Sequence, residues 1–153
     1  MIKSVKGDLL NFDVGLIVHQ VNTLGVMGGG IARQIKDKYP VVYEKYVDFC
    51  KLYSDDILLG CVQFVEVDDV IVANVFAQKS IDFGKCNTMY NALHAGLKRV
   101  KDYCYENNIK AVGIPDLIGC GLAGGNRDAV MNIIYDLFYD DEDLILYIVE
   151  FKK

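Results

Sequence analysis

Two prolines and two histidines are all that this 153-residue chain contains, and it has no stretch rich in Ser, Pro and Gly. Without such a stretch there is no linker or low-complexity tract to divide it, and one compact domain is expected. The five cysteines, Cys50, Cys61, Cys86, Cys104 and Cys120, are odd in number and form no CxxC pair. That excludes a disulfide framework and a thiolate zinc site, and it fits a reducing cytoplasm. No run is long and uncharged enough to cross a bilayer, and residues 1–8 lack the apolar core of a signal peptide, so a soluble cytoplasmic protein is expected. Cationic excess is also missing: the formal net charge is −5. This argues against broad, salt-driven nucleic-acid binding and for a small ligand, taken up by a monomer.

What the chain does have is glycine in two places. Residues 18–32 carry an apolar strand into His19, Gln20 and Asn22, then into Gly28, Gly29 and Gly30, and then into a helix start at Ile31 and Ala32. Residues without Cβ let backbone N–H groups approach a ligand closely, and the helix N-terminus adds unpaired donors. A second passage repeats the arrangement after Pro115, through Ile118, Gly119, Cys120, Gly121, Leu122 and Ala123 to Gly124 and Gly125. Two such cradles suit a diphosphate with something attached at each end. Neither is a dinucleotide fingerprint, because G-x-G-x-x-G is absent, and no P-loop Gly-Lys-Ser/Thr follows.

Apolar runs at residues 2–5, 16–20, 61–67, 70–76, 111–114 and 144–151 read as strands. Several are apolar on consecutive positions, as in a sheet covered on both faces. Helical spacing joins Ile31, Ala32 and Ile35, and Val42, Tyr46, Val47 and Cys50 after Pro40 in a first helical turn. It also joins Leu93, Leu97, Val100 and Cys104 behind a cap at Asn87 or Thr88, and Val130, Ile133, Ile134 and Leu137 after Asn126. The alternation predicts a three-layer α/β/α fold with its ligand cleft at the carboxyl ends of the central strands.

Several side chains invite chemistry. His19 stands at the end of a buried strand beside the first cradle, where a core histidine, an acid/base group and a polar lid are all consistent with the residues. His94 shares a helix face with Lys98, Lys101 and Tyr105 and reads as a surface histidine. Asp8 follows Gly7 and reads as a turn residue. Cys120 has no second histidine placed to activate it, so it reads as packing. The segment 76–88, with Lys79, Asp82, Phe83 and Lys85, is a loop of the kind that closes over a pocket.

Taken together, residues 7–10, the His19-Gln20-Val21-Asn22 run with Gly28 to Ala32, the Asn74 to Gln78 strand end and residues 118–125 resemble the macrodomain family over nearly the whole chain. The likeness is greatest to small stand-alone members typified by ADP-ribose 1″-phosphate phosphatases and glutamate-type ADP-ribosyl hydrolases. It implies an α/β/α sandwich with a six-stranded mixed sheet, and ADP-ribose as ligand, free or on ADP-ribosylated macromolecules. Asp8 and Leu9 would then hold the adenine, with Phe151 as a wall, and Asn22 the distal ribose. The loops from Gly28 to Ile31 and from Ile118 to Ala123 would clasp the diphosphate. The His19-Gln20-Val21-Asn22 run resembles the phosphatase-like branch, in which the histidine is implicated in catalysis, and this implies His19 as acid/base or orienter, with Asp82 of the 76–88 segment as a candidate for activating water. The branch that uses a lysine with an aspartate has those residues where this chain has Gln78 and Ala123, so its mechanism is not expected here. The expected activity is hydrolysis of a distal-ribose substituent, a 1″-phosphate or an ADP-ribosyl ester, with no cofactor or metal. A module that binds the nucleotide without turnover is the alternative.

Overall fold

A computed structural model describes residues 1–152. Strand β1 (Ile2–Gly7) leads through a single 3-10 turn (Leu9–Asn11) to β2 (Leu16–Asn22), followed by α1 (Gly30–Lys38), α2 (Pro40–Leu52) and the one-turn α3 (Asp55–Leu58). A hairpin of β3 (Val62–Val67) and β4 (Val70–Gln78) precedes α4 (Tyr90–Glu106), β5 (Ala111–Pro115), α5 (Arg127–Phe138) and β6 (Ile145–Phe151). The strands order as β1-β6-β5-β2-β4-β3. All neighbours are parallel except β3, which runs antiparallel to β4. The expected six-stranded mixed sheet is therefore the observed one.

The pleat divides the core into two layers. From β2, Leu16 and Val18 pack with Leu93, Leu97 and Val100 of α4 and Ile134 of α5, while Ile17 turns to the opposite layer with Ile35 of α1 and Val42 of α2. Burial on both faces explains why β2 reads as a continuous apolar run. Gly96 lets α4 approach β4 closely, since a Cβ there would collide with Val75.

Two details depart from expectation. Strands β2 and β4 run two residues further than their apolar stretches, to Asn22 and Gln78. Polar side chains are tolerated there because the strand ends open onto a cleft. The α4 cap is Met89, with no side-chain bond, rather than Asn87 or Thr88. Both of those side chains are engaged elsewhere. Asn126, by contrast, caps α5 as its sequence context suggests, its side chain accepting from Ala129 N at 3.1 Å. His94 is half-buried at the surface, 2.9 Å from Asp136 of α5.

Candidate nucleotide cleft

The first loop is built around Asn22. Its Oδ1 accepts from Leu24 N at 2.9 Å, its Nδ2 donates to Val26 O at 2.8 Å, and the Tyr46 hydroxyl stands 2.7 Å from both Asn22 O and Oδ1. A buried tyrosine from α2 thus fastens the end of β2. Gly25, at φ +80°, turns the chain back, and Gly30, at φ +57°, starts α1. These two positions need glycine for conformation. Gly28 does not: a Cβ there would meet nothing closer than Val26 Cγ1 at 3.5 Å. Gly29 is the extended cap of α1, and no side chain bonds to that helix's first amides.

The second loop leaves β5 with Asp116 N donating to Val149 O at 2.9 Å. Leu117 follows at φ +61°, a conformation that costs a branched side chain about 1–2 kcal/mol. Within the loop Cys120 N bonds Leu117 O, Gly124 N bonds Gly121 O and Gly125 N bonds Gly119 O. The amides of Gly121, Leu122 and Ala123 have no protein partner among the described residues. A Cβ at Gly124 would strike Lys85 O, and one at Gly125 would strike Gly119 O, so both glycines are required by close backbone approach.

The two loops meet. They line one cleft of about 520 Å³ over the carboxyl ends of β5, β2 and β4. Across its floor Gln20 Nε2 donates to Gln78 Oε1 at 3.0 Å and to Thr88 Oγ1 at 2.9 Å, and the Thr88 hydroxyl donates to Gly119 O at 2.6 Å. Thr88 therefore ties the second loop to the central strands, which explains why it does not cap α4.

Of the residues singled out by sequence, Gln20, Asn22, Gly28, Gly29, Gly30 and Ile31 lie on the wall, as do Pro115, Ile118, Gly119, Gly121, Leu122 and Ala123. Asn22 is nonetheless occupied mainly in shaping its own loop. Cys120 is not on the wall, and burial raises its thiol pKa. Asp8, Leu9 and Phe151 also lie outside it. Asp8 caps the 3-10 turn by accepting from Leu10 N and Asn11 Nδ2, Leu9 is buried, and the exposed Phe151 pairs in register with Gly7. These three share the β1/β6 margin of the same sheet end, so they extend the cleft's line without enclosing it.

Neither catalytic candidate reaches the wall. His19 is fully buried between β2 and β4, on the layer facing α2, with Nε2–H donating to Asn74 Oδ1 at 2.5 Å. Asn74 Nδ2 continues to Gln63 Oε1 and Gln63 Nε2 to Lys45 O, a polar chain leading away from the cleft. Burial lowers the imidazole pKa to about 4, against a smaller opposing effect of the Asn74 bond. The ring is therefore neutral near pH 7. Asp82 is exposed on the loop between β4 and α4 and is likewise absent from the wall, although its neighbours Ile81 and Phe83 line it.

The sequence reading missed Tyr46, assigned only to an apolar stripe, and Thr88, assigned to a cap; Gln78 entered as the end of the Asn74 to Gln78 run and as a replaced lysine, with no role of its own. The strand end before Gln78 was the one available signal. Asp116 is the sole charged residue on the described wall, and it lies 3.4 Å from Arg127.

Comparison with known proteins agrees with this architecture. The macro domain model matches residues 18–134. A DNA ADP-ribosyl glycohydrolase of Mycobacterium tuberculosis is 29% identical over 96% of this chain, and an ADP-ribose 1″-phosphate phosphatase of Candida glabrata is 35% identical over 49% of it. The chain spans 42% and 44% of the lengths of those two relatives. Among solved structures, a Bacteroides thetaiotaomicron protein of unknown function superposes with TM-score 0.85 at 29% identity, covering 97% of this chain and 98% of that one. The macrodomain of Mycobacterium tuberculosis DarG superposes with TM-score 0.83 at 27% identity, covering 100% and 99%. With the family model spanning most of the sheet and both glycine loops, this chain belongs to the macro domain family.

Proposed function

We propose that the cleft binds ADP-ribose and that the protein hydrolyses a substituent from its distal ribose, a 1″-phosphate or an ester-linked ADP-ribosyl group. The observation that carries this is the convergence of both glycine loops and the α1 N-terminus on one volume. A pyrophosphate there receives the first amides of α1 and those of Gly121, Leu122 and Ala123, together with the positive end of the helix dipole. Adenine then extends toward Asp8, Leu9 and Phe151, and the distal ribose toward Gln20, Asn22 and Gln78. The sheet order supports this polarity, since β1 and β6 flank β5 on one side and β4 flanks β2 on the other.

Amide donors meet the phosphate charge without a metal. Asp82, off the wall itself but between Ile81 and Phe83, which line it, is the general base in this scheme, and His19 a positioning residue that braces β2 against β4. Printed names of the relatives, a glycohydrolase and a phosphatase of ADP-ribose compounds, support hydrolysis. The second reading, binding without turnover, is favoured by the wall itself, whose only charged residue among those described, Asp116, is paired with Arg127. Among the described residues no helix is long and apolar enough to cross a membrane, and with five free thiols we place the protein in a reducing cytoplasm, as a monomer.

Calorimetry with ADP-ribose tests the first half: micromolar or tighter binding is expected, and no heat at millimolar ligand defeats it. Incubation with ADP-ribose 1″-phosphate and with an ADP-ribosylated acidic peptide tests the second. Tight binding with neither product formed leaves the sequestering reading in its place.

A further inference from the structure

We infer that Asp116 reads the adenosine ribose of the bound nucleotide, accepting from its 2′ and 3′ hydroxyls and rejecting a nucleotide phosphorylated on the 2′ oxygen. The inference rests on the ADP-ribose reading above and narrows the substrate class of the same site to nucleotides whose adenosine diol is free. Asp116 is the sole charged residue on the described wall of a cleft otherwise lined by neutral side chains and glycine loops. Beside a pyrophosphate a carboxylate repels, and its only complements are neutral donors or a cation.

The fold fixes where along the ligand this carboxylate stands. Pro115 pairs in register with Val149 of β6, and Asp116 N donates to Val149 O at 2.9 Å. Further along the same strand Phe151 pairs with Gly7, which precedes Asp8. Asp116 therefore lies between the β1/β6 margin, where the adenine is set, and the two glycine loops, where the pyrophosphate is set. The group between adenine and pyrophosphate is the adenosine ribose. The backbone is fastened to β6 on one side and turns through Leu117, at φ +61°, on the other, so the side chain leaves from a fixed point.

Its chemistry there is selective. A carboxylate is an acceptor with no proton to give, and a ribose cis-diol offers two adjacent donors. Among the described residues the partner of the Asp116 side chain is Arg127, whose Nη1 lies 3.4 Å from Oδ1. Arg127 opens α5 and does not line the cleft, so the pair presents its acid to the ligand and its base away from it. The guanidinium offsets part of the repulsion toward the pyrophosphate without supplying a donor to the wall. A phosphate on the 2′ oxygen would remove one donor and set a dianion against Asp116, while the cation able to receive it is held by that same carboxylate.

Calorimetry tests this with three ligands: ADP-ribose, its 2′-deoxyadenosine analogue, and ADP-ribose carrying a phosphate on the adenosine 2′ oxygen. Wild type should bind the deoxy analogue about tenfold, and the 2′-phosphate about a hundredfold, more weakly than ADP-ribose. In Asp116→Ala the deoxy penalty should fall below about twofold. The same variant should bind the 2′-phosphate about tenfold more tightly than wild type does, because Arg127 is released. Adding Arg127→Gln to it should abolish that gain. Asp116→Asn, which keeps an acceptor but no charge, should retain part of the deoxy penalty and shed most of the phosphate penalty. Wild type binding all three ligands alike, a result that needs no variant to fold, overturns the inference while leaving nucleotide binding intact. So does a deoxy penalty undiminished in Asp116→Ala. Failure of wild type to bind ADP-ribose overturns both.

Discussion

Gly29 and Leu122 close the gap between the two glycine loops: a Cβ built on Gly29 would stand 2.6 Å from Leu122 Cδ1. The contact places the cap of α1 against the tip of the loop after β5, although 93 positions of sequence separate them by number (122 − 29). Leu122 is 72% exposed, so its side chain can swing aside. The consequence of crowding is then felt by the ligand more than by the fold.

A glycine series follows from this geometry. Gly28→Ala should be nearly neutral, Gly29→Ala should leave stability within about 0.5 kcal/mol but weaken ADP-ribose binding, and Gly30→Ala should cost about 1 kcal/mol because its φ is +57°. Urea unfolding and calorimetry separate the three. Equal losses at Gly28 and Gly30 would show that conformation is not what distinguishes them.

Removing the Tyr46 hydroxyl tests the scaffold of the first loop. Tyr46→Phe keeps the ring, which stacks 5.8 Å from Phe76, and deletes the hydroxyl with its contacts to Asn22. A stability loss of about 1–2 kcal/mol is expected, with weaker nucleotide binding, since a buried acceptor is left unpaired. Unchanged binding would separate Asn22's loop from the site.

Thr88→Val tests the fastening of the second loop. The change is nearly isosteric, yet it removes the donor to Gly119 O and the acceptor for Gln20 Nε2. We expect a several-fold rise in the ADP-ribose Kd and a loss of about 1 kcal/mol in unfolding free energy. A crystal structure of the variant with residues 117–125 unmoved, together with native affinity, would contradict it.

Buried His19 should leave a signature in acid. Its folded pKa, about 4, lies below the ordinary 6.5, so between those values the unfolded chain binds the proton more readily than the folded one. Its contribution is complete above pH 6.5 and is lost as pH falls toward 4, to a total of about 3 kcal/mol. His19→Gln, which keeps a donor for Asn74, should flatten the difference curve in that window. Urea titrations of both proteins from pH 7.5 to about 4 measure it, and parallel curves would place the titration elsewhere.

Much of this protein was legible before folding. Consecutive apolar residues from 16 to 18 marked a strand covered on both faces, Pro40 and Asn126 marked helix starts, and the glycine passages marked the loops that border the cleft. These features are local: backbone conformation, capping chemistry and hydrophobic period act over a few residues. Thr88 was misread for the same reason, because its hydroxyl had a local use as a cap and a distant one at Gly119, and only the distant one is made.

The sequence by itself determined the order of elements, the faces of α4 and α5 and the two turns free of Cβ. Tertiary structure alone decided which polar side chains face the cleft. His19 and Gln20 are adjacent, so the pleat sends them to opposite faces, His19 into the layer against α2 and Gln20 onto the cleft floor. Alternation is written in the chain, but which face is open depends on helices packed from far along it. That is why the strand was readable and the role of its histidine was not.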